Sequence, residues 1–200
     1  MGRKSIDRQR KPLTDKAKKW VRELTPLLQE VDLRKLTLDE LSEMAGKSRS
    51  TIYTYFSTKE EVYLTITQFV LEDLRSAISP ETLAQSNMEE ALSHLLHSIG
   101  EGIEGISISY LEQLQSHFPE IWAVIQEFTD QVLSLLSTLY QMGMDQGHFK
   151  SFNVSLLTAL DRHFVMSIMT DTAQFKEQGL SLRDIVTEYL ELRLGALSRD

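Results

Sequence analysis

The sequence predicts an all-α protein of about nine helices, because helical periodicity is present along most of its 200 residues. Apolar residues recur three and four positions apart, and several expected helix starts have a Ser, Thr or Asn followed three residues later by an acidic residue. No segment shows the alternation of apolar and polar residues that is typical of a strand. The longest apolar seam consists of Ile121, Ile125, Phe128, Val132, Leu135, Leu139 and Met142.

The N-terminal third predicts a first helix and the start of a short second one. The first helix is expected over Leu13–Val31, with Pro26 kinking it or ending it early. Thr37 and Glu40 have the spacing of a capping box, which predicts the start of the second helix. Gly46 is suited to the left-handed conformation that ends a helix, so a tight turn is expected there.

A third short helix and a long fourth one are predicted to follow this turn. Ser48 is a good N-cap for the third helix, and Ile52 and Phe56 supply its apolar contacts. Ser57 and Glu60 form a second capping box, from which a long helix is expected to run to about Ile78. The pattern is therefore helix, tight turn, helix, and a supporting helix.

The second half of the chain predicts further helices. Asn87 and Glu90 have helix-start spacing for a helix that is expected to end near Gly100–Gly105, where the glycines at 100, 102 and 105 indicate a break or an uneven helix. The other helices are expected over Ile106–Phe118, from Pro119 to Gly143–Gly147, over Asn153–Thr170 and over Ser181–Ser198. Three segments are predicted: an arm and small domain over 1–57, a connecting helix over 58–78, and a larger domain over 79–200.

Composition indicates a globular protein and excludes several classes. Hydrophobic residues make up 42% and charged residues 25% of the chain, and no apolar run or leader pattern indicates a membrane span or a signal peptide. The absence of cysteine excludes disulfides and agrees with a cytoplasmic location. No Walker-type loop, nucleophile elbow or metal-hydrolase histidine pair is present, so we expect no enzyme activity and no cofactor.

Charge is divided sharply along the chain. Residues 1–60 carry 14 lysines and arginines against 9 acidic residues, whereas residues 61–200 carry 7 against 20. Because electrostatic attraction to phosphates decays over about 10 Å at moderate salt, the local excess at the basic end decides whether DNA is attracted. The segment Thr37–Lys59 then has the order and polarity of a helix-turn-helix that docks on duplex DNA.

The same segment resembles the TetR family of one-component transcriptional repressors. The shared pattern is Thr37, then Ala45-Gly46 at the turn, then Tyr53-Thr54-Tyr55-Phe56, and Lys59 at the next helix start. It covers residues 14–75 in detail, and the rest of the chain matches in length and helical character. The chain departs from the family pattern in four ways: Lys47 replaces a small apolar residue, Ser50 replaces a common glycine, the connection between the first two helices lacks its usual glycine, and Pro26 interrupts the first helix.

Nine residues are candidates for DNA contact. Lys47, Arg49, Ser50 and Thr51 lie at the exposed start of the recognition helix, which Ser48 caps, and are expected to face bases or nearby phosphates. Thr37, Tyr53, Tyr55 and Lys59 are expected to contact phosphates, which position a protein without reading sequence. The alternatives are that Tyr53 packs in the core and that Lys59 is a solvated surface charge.

The basic residues of the arm allow two interpretations. They either follow the DNA backbone or enter a minor groove, or form a solubilising tail. These residues are Arg3, Lys4, Arg8, Arg10 and Lys11.

Two further sets of candidates lie in the larger domain. An effector pocket between helices, or equally a simple packed core, is predicted from Tyr110, Leu111, Phe118, Trp122, Phe128, Met142, Met144 and Phe164. The resemblance implies a dimer interface on the last two helices, where apolar stripes comprise Leu157, Leu160, Phe164 and Ile168, and Leu182, Ile185, Val186, Tyr189 and Leu192.

Histidines offer a weaker alternative of metal binding. Glu90, His94, His97 and Glu101 lie on one helical face, but they lack the framework of a structural zinc site, and an ordinary polar face is the simpler interpretation. His163 lies in an apolar stretch and is interpreted as a core or interface residue.

The predicted function is a ligand-responsive transcriptional repressor that binds a palindromic operator as a homodimer. Its partners are duplex DNA, a second copy and a small, mainly apolar effector. The alternatives are a helical DNA-binding regulator controlled by a protein partner, a nonspecific nucleoid protein and, least supported, a helical enzyme. Replacing Lys59 by Ala is expected to weaken binding to all DNA sequences alike and to lower the salt slope by about 1.

Overall fold

The computed structural model describes residues 10–78, 87–170, 175 and 177–197, and its described part is all-α, as predicted. It contains nine α-helices, one short 3₁₀-helix over Thr25–Leu28, and no β-strand. The helices are α1 (Asp15–Glu23), α2 (Leu38–Met44), α3 (Arg49–Tyr55), α4 (Lys59–Ala77), α5 (Met88–Gly102), α6 (Ile108–His117), α7 (Pro119–Asp145), α8 (Val154–Thr170) and α9 (Leu182–Leu197).

The chain divides into two compact units, Met1–Ile66 and Thr67–Asp200, and the boundary falls within α4. The functional segments 1–57, 58–78 and 79–200 stay a prediction. None of the described helices is long and apolar enough to cross a membrane.

Unit 1 is built around a small aromatic core. Helix α1 begins at its N-cap Thr14 and ends at Glu23, because Pro26 lies in the first turn of the following 3₁₀-helix. Of the two effects expected of Pro26, a kink or an early end, the structure shows the early end, and the helix does not reach Val31. Trp20 on α1 is buried and contacts the ring of Phe56 edge-on, with 6.2 Å between the ring centroids.

Unit 2 packs its helices around α7. This helix begins at Pro119, as predicted, and contacts α5, α6 and α8, while α9 packs against α5. Apolar side chains that α4, α5 and α7 direct inward form most of the core, including Leu71, Leu74, Leu92, Leu95, Leu133 and Leu136, and Phe149 joins them from the segment after α7.

Helix α5 ends at Gly102, within the Gly100–Gly105 stretch where the sequence predicted its end. The two glycines of its last turns permit close packing against neighbouring side chains. A Cβ atom added at Gly102 would lie 2.1 Å from Leu74 Cδ2, and one added at Gly100 would lie 3.2 Å from Thr187 Oγ1. Both positions therefore favour the absence of a side chain.

The cap of α4 lies one residue later than predicted. The backbone N–H of Glu61 donates to the Thr58 hydroxyl at 3.3 Å, and the Glu61 carboxylate accepts from the backbone N–H of Ser57. Thr58 thus takes the capping role that the sequence pattern gave to Ser57, whereas the Glu61 carboxylate accepts from Ser57, one residue before the cap.

A buried carboxylate joins three helices of unit 2. Asp161 on α8 accepts hydrogen bonds from the hydroxyl of Tyr140 on α7 at 2.9 Å, and from the Tyr189 hydroxyl and the Arg193 Nε on α9. Burial, together with the hydrogen bond to Asp161, raises the pKa of Tyr189 to about 12, so this hydroxyl remains a donor. The Tyr189 ring stacks on Phe164 with 3.6 Å between centroids.

Removing the cationic partner of this carboxylate is expected to destabilise the fold. We predict that Arg193→Met lowers the free energy of unfolding by about 2–4 kcal/mol. This loss is at the low end of the losses that are usual when one partner of a buried ion pair is removed, because both tyrosines still donate to Asp161. Arg162→Met is the matched control, since Arg162 pairs with Asp130 at the surface and such pairs contribute about 0–1 kcal/mol. Urea unfolding measures both, and equal losses would contradict the prediction.

Candidate nucleic-acid interface

The turn between α2 and α3 is closed by backbone hydrogen bonds. Gly46 has φ +62°, and its N–H donates to the Glu43 carbonyl at 2.9 Å, while the Lys47 N–H donates to the Ser42 carbonyl at 2.8 Å. This pair of bonds is the Schellman pattern, in which a left-handed glycine satisfies the last carbonyls of a helix. The turn therefore fixes where α3 begins.

Helix α3 exposes one polar face and buries the other. Ser48 is its N-cap and accepts from the Thr51 N–H at 3.2 Å, as predicted. Ile52 is fully buried, whereas Arg49 and Ser50 are exposed. The first turn of α3 thus presents a cation and hydroxyl groups to solvent.

Arg49 has an acidic neighbour on the preceding helix. Its guanidinium lies 3.2 Å from Asp39 Oδ2, which links α2 to α3. Both side chains retain solvent contact, so the pair is of the weak surface type and the arginine stays free to exchange partners. Sequence reasoning did not identify Asp39.

Thr37 serves as a cap. Its hydroxyl accepts from the Glu40 N–H at 3.2 Å, and its own N–H donates to Glu40 Oε2 at 2.7 Å, which confirms the predicted capping box. Hydrogen bonds from the Thr37 backbone and hydroxyl lower the pKa of Glu40. The stabilisation that these hydrogen bonds give the fold is therefore present at pH values above the pKa of Glu40 in the unfolded chain. It is lost as the pH falls through the lower pKa of Glu40 in the folded protein.

Lys59 lies half-buried and makes internal contacts. Its Nζ donates to the Leu33 carbonyl at 3.0 Å and to the Arg34 carbonyl at 2.5 Å. The buried Tyr63 hydroxyl donates to the same Leu33 carbonyl at 3.1 Å. The start of α4 therefore holds the segment before α2, and two of the three ammonium donors are already used.

Arg10 also has internal partners. Its guanidinium donates to the carbonyl of Tyr53 and, at 2.7 Å, to the hydroxyl of Ser57, while the Lys11 N–H donates to the Thr54 carbonyl. Arg10 and Lys11 thus lie along the C-terminal end of α3. The other basic residues of the arm, Arg3, Lys4 and Arg8, lie outside the described residues.

The two tyrosines of α3 differ in their surroundings. Tyr53 is exposed, so it does not pack in the core, whereas Tyr55 is half-buried against Trp20 with 6.3 Å between ring centroids. Lys47 and Thr51 are half-buried. The structure therefore brings the predicted DNA-contact residues together on α3 and on the caps and helix start beside it.

The predicted effector-pocket residues are mostly interior. Phe164 is half-buried, and Met142 is 40% exposed, so neither side chain is enclosed. Half-buried Met144 accepts the Phe152 N–H on its sulfur at 3.4 Å. The buried members of the set are Tyr110, Leu111, Phe118, Trp122 and Phe128.

The structure divides the predicted dimer-interface set. Leu160 and Leu192 are 49% and 66% exposed, and Leu156, which sequence reasoning missed, is 59% exposed. Phe164, Val186 and Tyr189 are half-buried. The members that unit 2 buries in its own interior, and that leave no free apolar surface, are Leu157, Ile168, Leu182 and Ile185.

The histidines make ordinary contacts. His97 Nε2 lies 3.2 Å from Glu101 Oε1, His94 Nδ1 lies 3.4 Å from the Ser98 hydroxyl, and His163 is exposed. Within the described ranges, no three His, Asp or Glu side chains come together in a way that could hold a metal ion.

Asp161 is a further residue that sequence reasoning missed, although a signal was available. It lies at helical spacing between Leu157 and Ile168, which are both buried. A carboxylate on an apolar face requires compensating donors, and this pattern indicates a buried polar network.

Comparisons with known proteins agree with this geometry. The sequence model of the family described as bacterial regulatory proteins, tetR family, matches residues 25–66. A protein of Bacillus subtilis (strain 168), the uncharacterized HTH-type transcriptional regulator YvaF, is 24% identical over 124 residues. That alignment covers 60% of this chain and 64% of the relative, so the chain spans less than two thirds of its length.

Solved structures share the fold over most of the chain. The ketosteroid transcriptional regulator KstR2 of Mycobacterium tuberculosis matches with a TM-score of 0.65 at 18% identity, covering 94% of this chain and 98% of that one. The transcriptional regulator FadR from Bacillus subtilis, in complex with stearoyl-CoA, matches with a TM-score of 0.67 at 17% identity, covering 89% and 98%.

The internal contacts of Lys59 generate a stability prediction. Lys59→Ala is expected to lower the free energy of unfolding by about 1–3 kcal/mol, because it removes charge-assisted hydrogen bonds to two backbone carbonyls. Lys35→Ala is the control, because Lys35 lies in the same segment and its exposed ammonium group pairs with Asp32. Thermal and urea unfolding measure both variants. Indistinguishable stabilities would show that the Lys59 contacts contribute nothing.

Proposed function

Because the chain belongs to the TetR family of bacterial transcriptional regulators, we propose that it is a ligand-responsive repressor that binds a palindromic operator as a homodimer. TetR-family proteins are DNA-binding regulators and not enzymes. The observation that carries the proposal is the α2–turn–α3 arrangement, in which a Schellman turn and the Ser48 cap present the polar start of α3 to solvent. The proposed operator is double-stranded DNA. The proposed location of the protein is the cytoplasm.

The charge distribution supports docking through unit 1. The excess of basic residues over 1–60 attracts phosphates, and the excess of acidic residues over 61–200 repels them. An approach to duplex DNA through any other surface would bring two negative charge distributions together. Charge thus orients the protein before specific contacts form.

Base reading is assigned to the first turn of α3. Arg49 can leave its weak pair with Asp39 and reach the acceptor atoms of guanine in the major groove, and the methyl group of Thr51 can contact thymine. Lys47 and Ser50 flank these positions, and Tyr53 is exposed one turn further along. We assign Thr37, Ser48 and Tyr55 to positioning the helix, since their hydroxyl or ring contacts lie within unit 1.

The proposed dimer uses the exposed leucines of α8 and α9. Leu156 and Leu160 lie one turn apart on α8, and Leu192 on α9 is followed by exposed Gly195 and Ala196. Added atoms at Gly195 would meet nothing within 4 Å, so a helix of a second copy can approach closely there. Half-sites about 34–36 Å apart, or a multiple of this spacing, match two such copies.

The proposed effector binds among the buried aromatic residues of unit 2. Tyr110, Phe118 and Trp122 are buried on α6, at its C-cap and on α7, respectively, and such linings suit apolar ligands. Repression ends when the effector favours a state of the dimer that no longer fits the operator, which requires different effector affinities for the two states. One structural neighbour holds stearoyl-CoA, so this molecule belongs in a first ligand panel.

Selection from a random duplex library tests operator recognition. We expect enrichment of a short palindrome, and we expect Arg49→Ala to lose discrimination at one position of each half-site, at a cost of about 1–3 kcal/mol. Lys35→Ala is the control and should leave the selected sequence unchanged. Footprints without sequence preference would overturn the repressor proposal, and retained discrimination in Arg49→Ala would overturn the assigned role of Arg49.

Sedimentation tests the dimer interface. Leu192→Glu should weaken dimerisation roughly 100-fold while leaving the monomer folded, because the side chain is exposed in one copy and would carry an unpaired charge into the interface. Leu27→Glu is the matched control, since Leu27 is an exposed leucine of unit 1. A wild-type monomer at micromolar concentration, or an unaffected Leu192→Glu dimer, would exclude this interface.

A further inference from the structure

A carboxylate on α2 lies against the first turn of α3. Asp39 is in the first turn of α2, where the Ser42 hydroxyl donates to its backbone carbonyl at 2.7 Å. The Asp39 side chain is 31% exposed, whereas the Arg49 side chain is 69% exposed. The carboxylate is therefore the more confined member of this ion pair, and the guanidinium is the more mobile one.

The cap and the turn beside Asp39 are made by other groups. Thr37 and Glu40 form the capping box of α2, and backbone hydrogen bonds around Gly46 close the turn to α3. Among the described residues, Asp39 Oδ1 is turned away from solvent and has no hydrogen-bond partner, while Oδ2 lies 3.2 Å from Nη1 of Arg49. Arg49 is therefore the partner that the structure gives this charge.

Arg49 can meet a guanine either by leaving Asp39 or by keeping it. If Arg49 leaves, both carboxylate oxygens lack a partner, and a negative charge remains beside the phosphates of the duplex, which is unfavourable. If Arg49 keeps the pair, Nη1 stays on Oδ2, while Nε and Nη2 form a second edge of the planar guanidinium with two donors. Two such donors match O6 and N7 of guanine. The second route leaves no charge unpaired, so the geometry favours it.

We propose that Asp39 is a positioning residue that determines specificity, because it holds one edge of the Arg49 guanidinium while the other edge donates to a guanine. The inference rests on the proposed function, since it assigns how the proposed base contact is oriented. A guanidinium that is already held loses less side-chain freedom when it binds a base. It is also kept away from phosphates, which carry no sequence information directly. Asp39 therefore raises the ratio of operator binding to nonspecific binding.

Binding to a selected operator and to a random duplex provides the first test. Asp39→Asn should lower the ratio of the two affinities about 10-fold and lose discrimination at the base pair that Arg49 reads, because the guanidinium is no longer held. Asp15→Asn is the matched control and should leave the ratio unchanged. It removes one exposed carboxylate from the first turn of α1, where Asp15 pairs with Lys18. Equal ratios in the two variants would overturn the proposal.

An Arg49→Ala background separates this role from a structural one. In that background, Asp39→Asn should change the ratio less than about 2-fold, because no guanidinium remains to be positioned. Thermal unfolding should show that Asp39→Asn alone stays folded, since the pair retains solvent contact. An equal loss of specificity without Arg49, or a loss of the fold in Asp39→Asn, would make Asp39 a structural residue and overturn the proposal.

The salt dependence of binding to the random duplex tests the hold on Arg49 without any operator. Once released from Asp39, Arg49 should reach a phosphate, so the slope should steepen by about 1 in Asp39→Asn and stay constant in Asp15→Asn. Selection of no operator, together with this steeper slope, would contradict the proposed function and leave only the hold on Arg49. An operator that Asp39→Asn reads with unchanged discrimination would contradict the positioning role and leave the proposed function.

Discussion

The buried carboxylate of Asp161 is the constraint on which the architecture of unit 2 depends. A charge in the interior is tolerated only when donors surround it, and here these come from Tyr140 on α7 and from Tyr189 and Arg193 on α9. Because the donors must face Asp161, they fix the rotation of α8 and α9 about their own axes. With Asp161 inward, Leu160 is left outward. The exposed apolar face thus follows from a polar contact made by a different face of the same helix.

In unit 1, the groups that require hydrogen-bond donors are backbone carbonyls. Backbone N–H groups of the turn at Gly46 donate to the last carbonyls of α2. Lys59 donates to two carbonyls of the segment that precedes α2. Arg10 likewise donates at the C-terminal end of α3. Cations that look available for phosphates in the sequence are therefore partly used to hold the recognition helix. The groups left for reading DNA lie at the start of α3, where Arg49 has only a weak surface partner.

Local signals predicted much of this fold, whereas distant contacts could not be predicted. The Thr37 capping box involves residues three apart, so the sequence contains all the information that it needs. Ser57 and Thr58 offer overlapping motifs, and the local pattern does not decide between them. Lys59 and Arg10 find their carbonyl acceptors 25 and 43 residues away, respectively, and no local pattern encodes such partners. The rotation of α8 has the same origin, because it depends on donors from α7 and α9.

The uneven charge of the chain makes salt act on two equilibria in the proposed complex. Salt weakens the attraction between phosphates and the basic residues over 1–60. It also relieves the repulsion between two acidic copies of residues 61–200, which the exposed leucines must overcome when a dimer forms. These effects oppose each other whenever dimerisation and DNA binding are linked. A salt slope measured below the dimer dissociation constant therefore understates the number of phosphate contacts, and the slope approaches that number only when the protein is dimeric throughout.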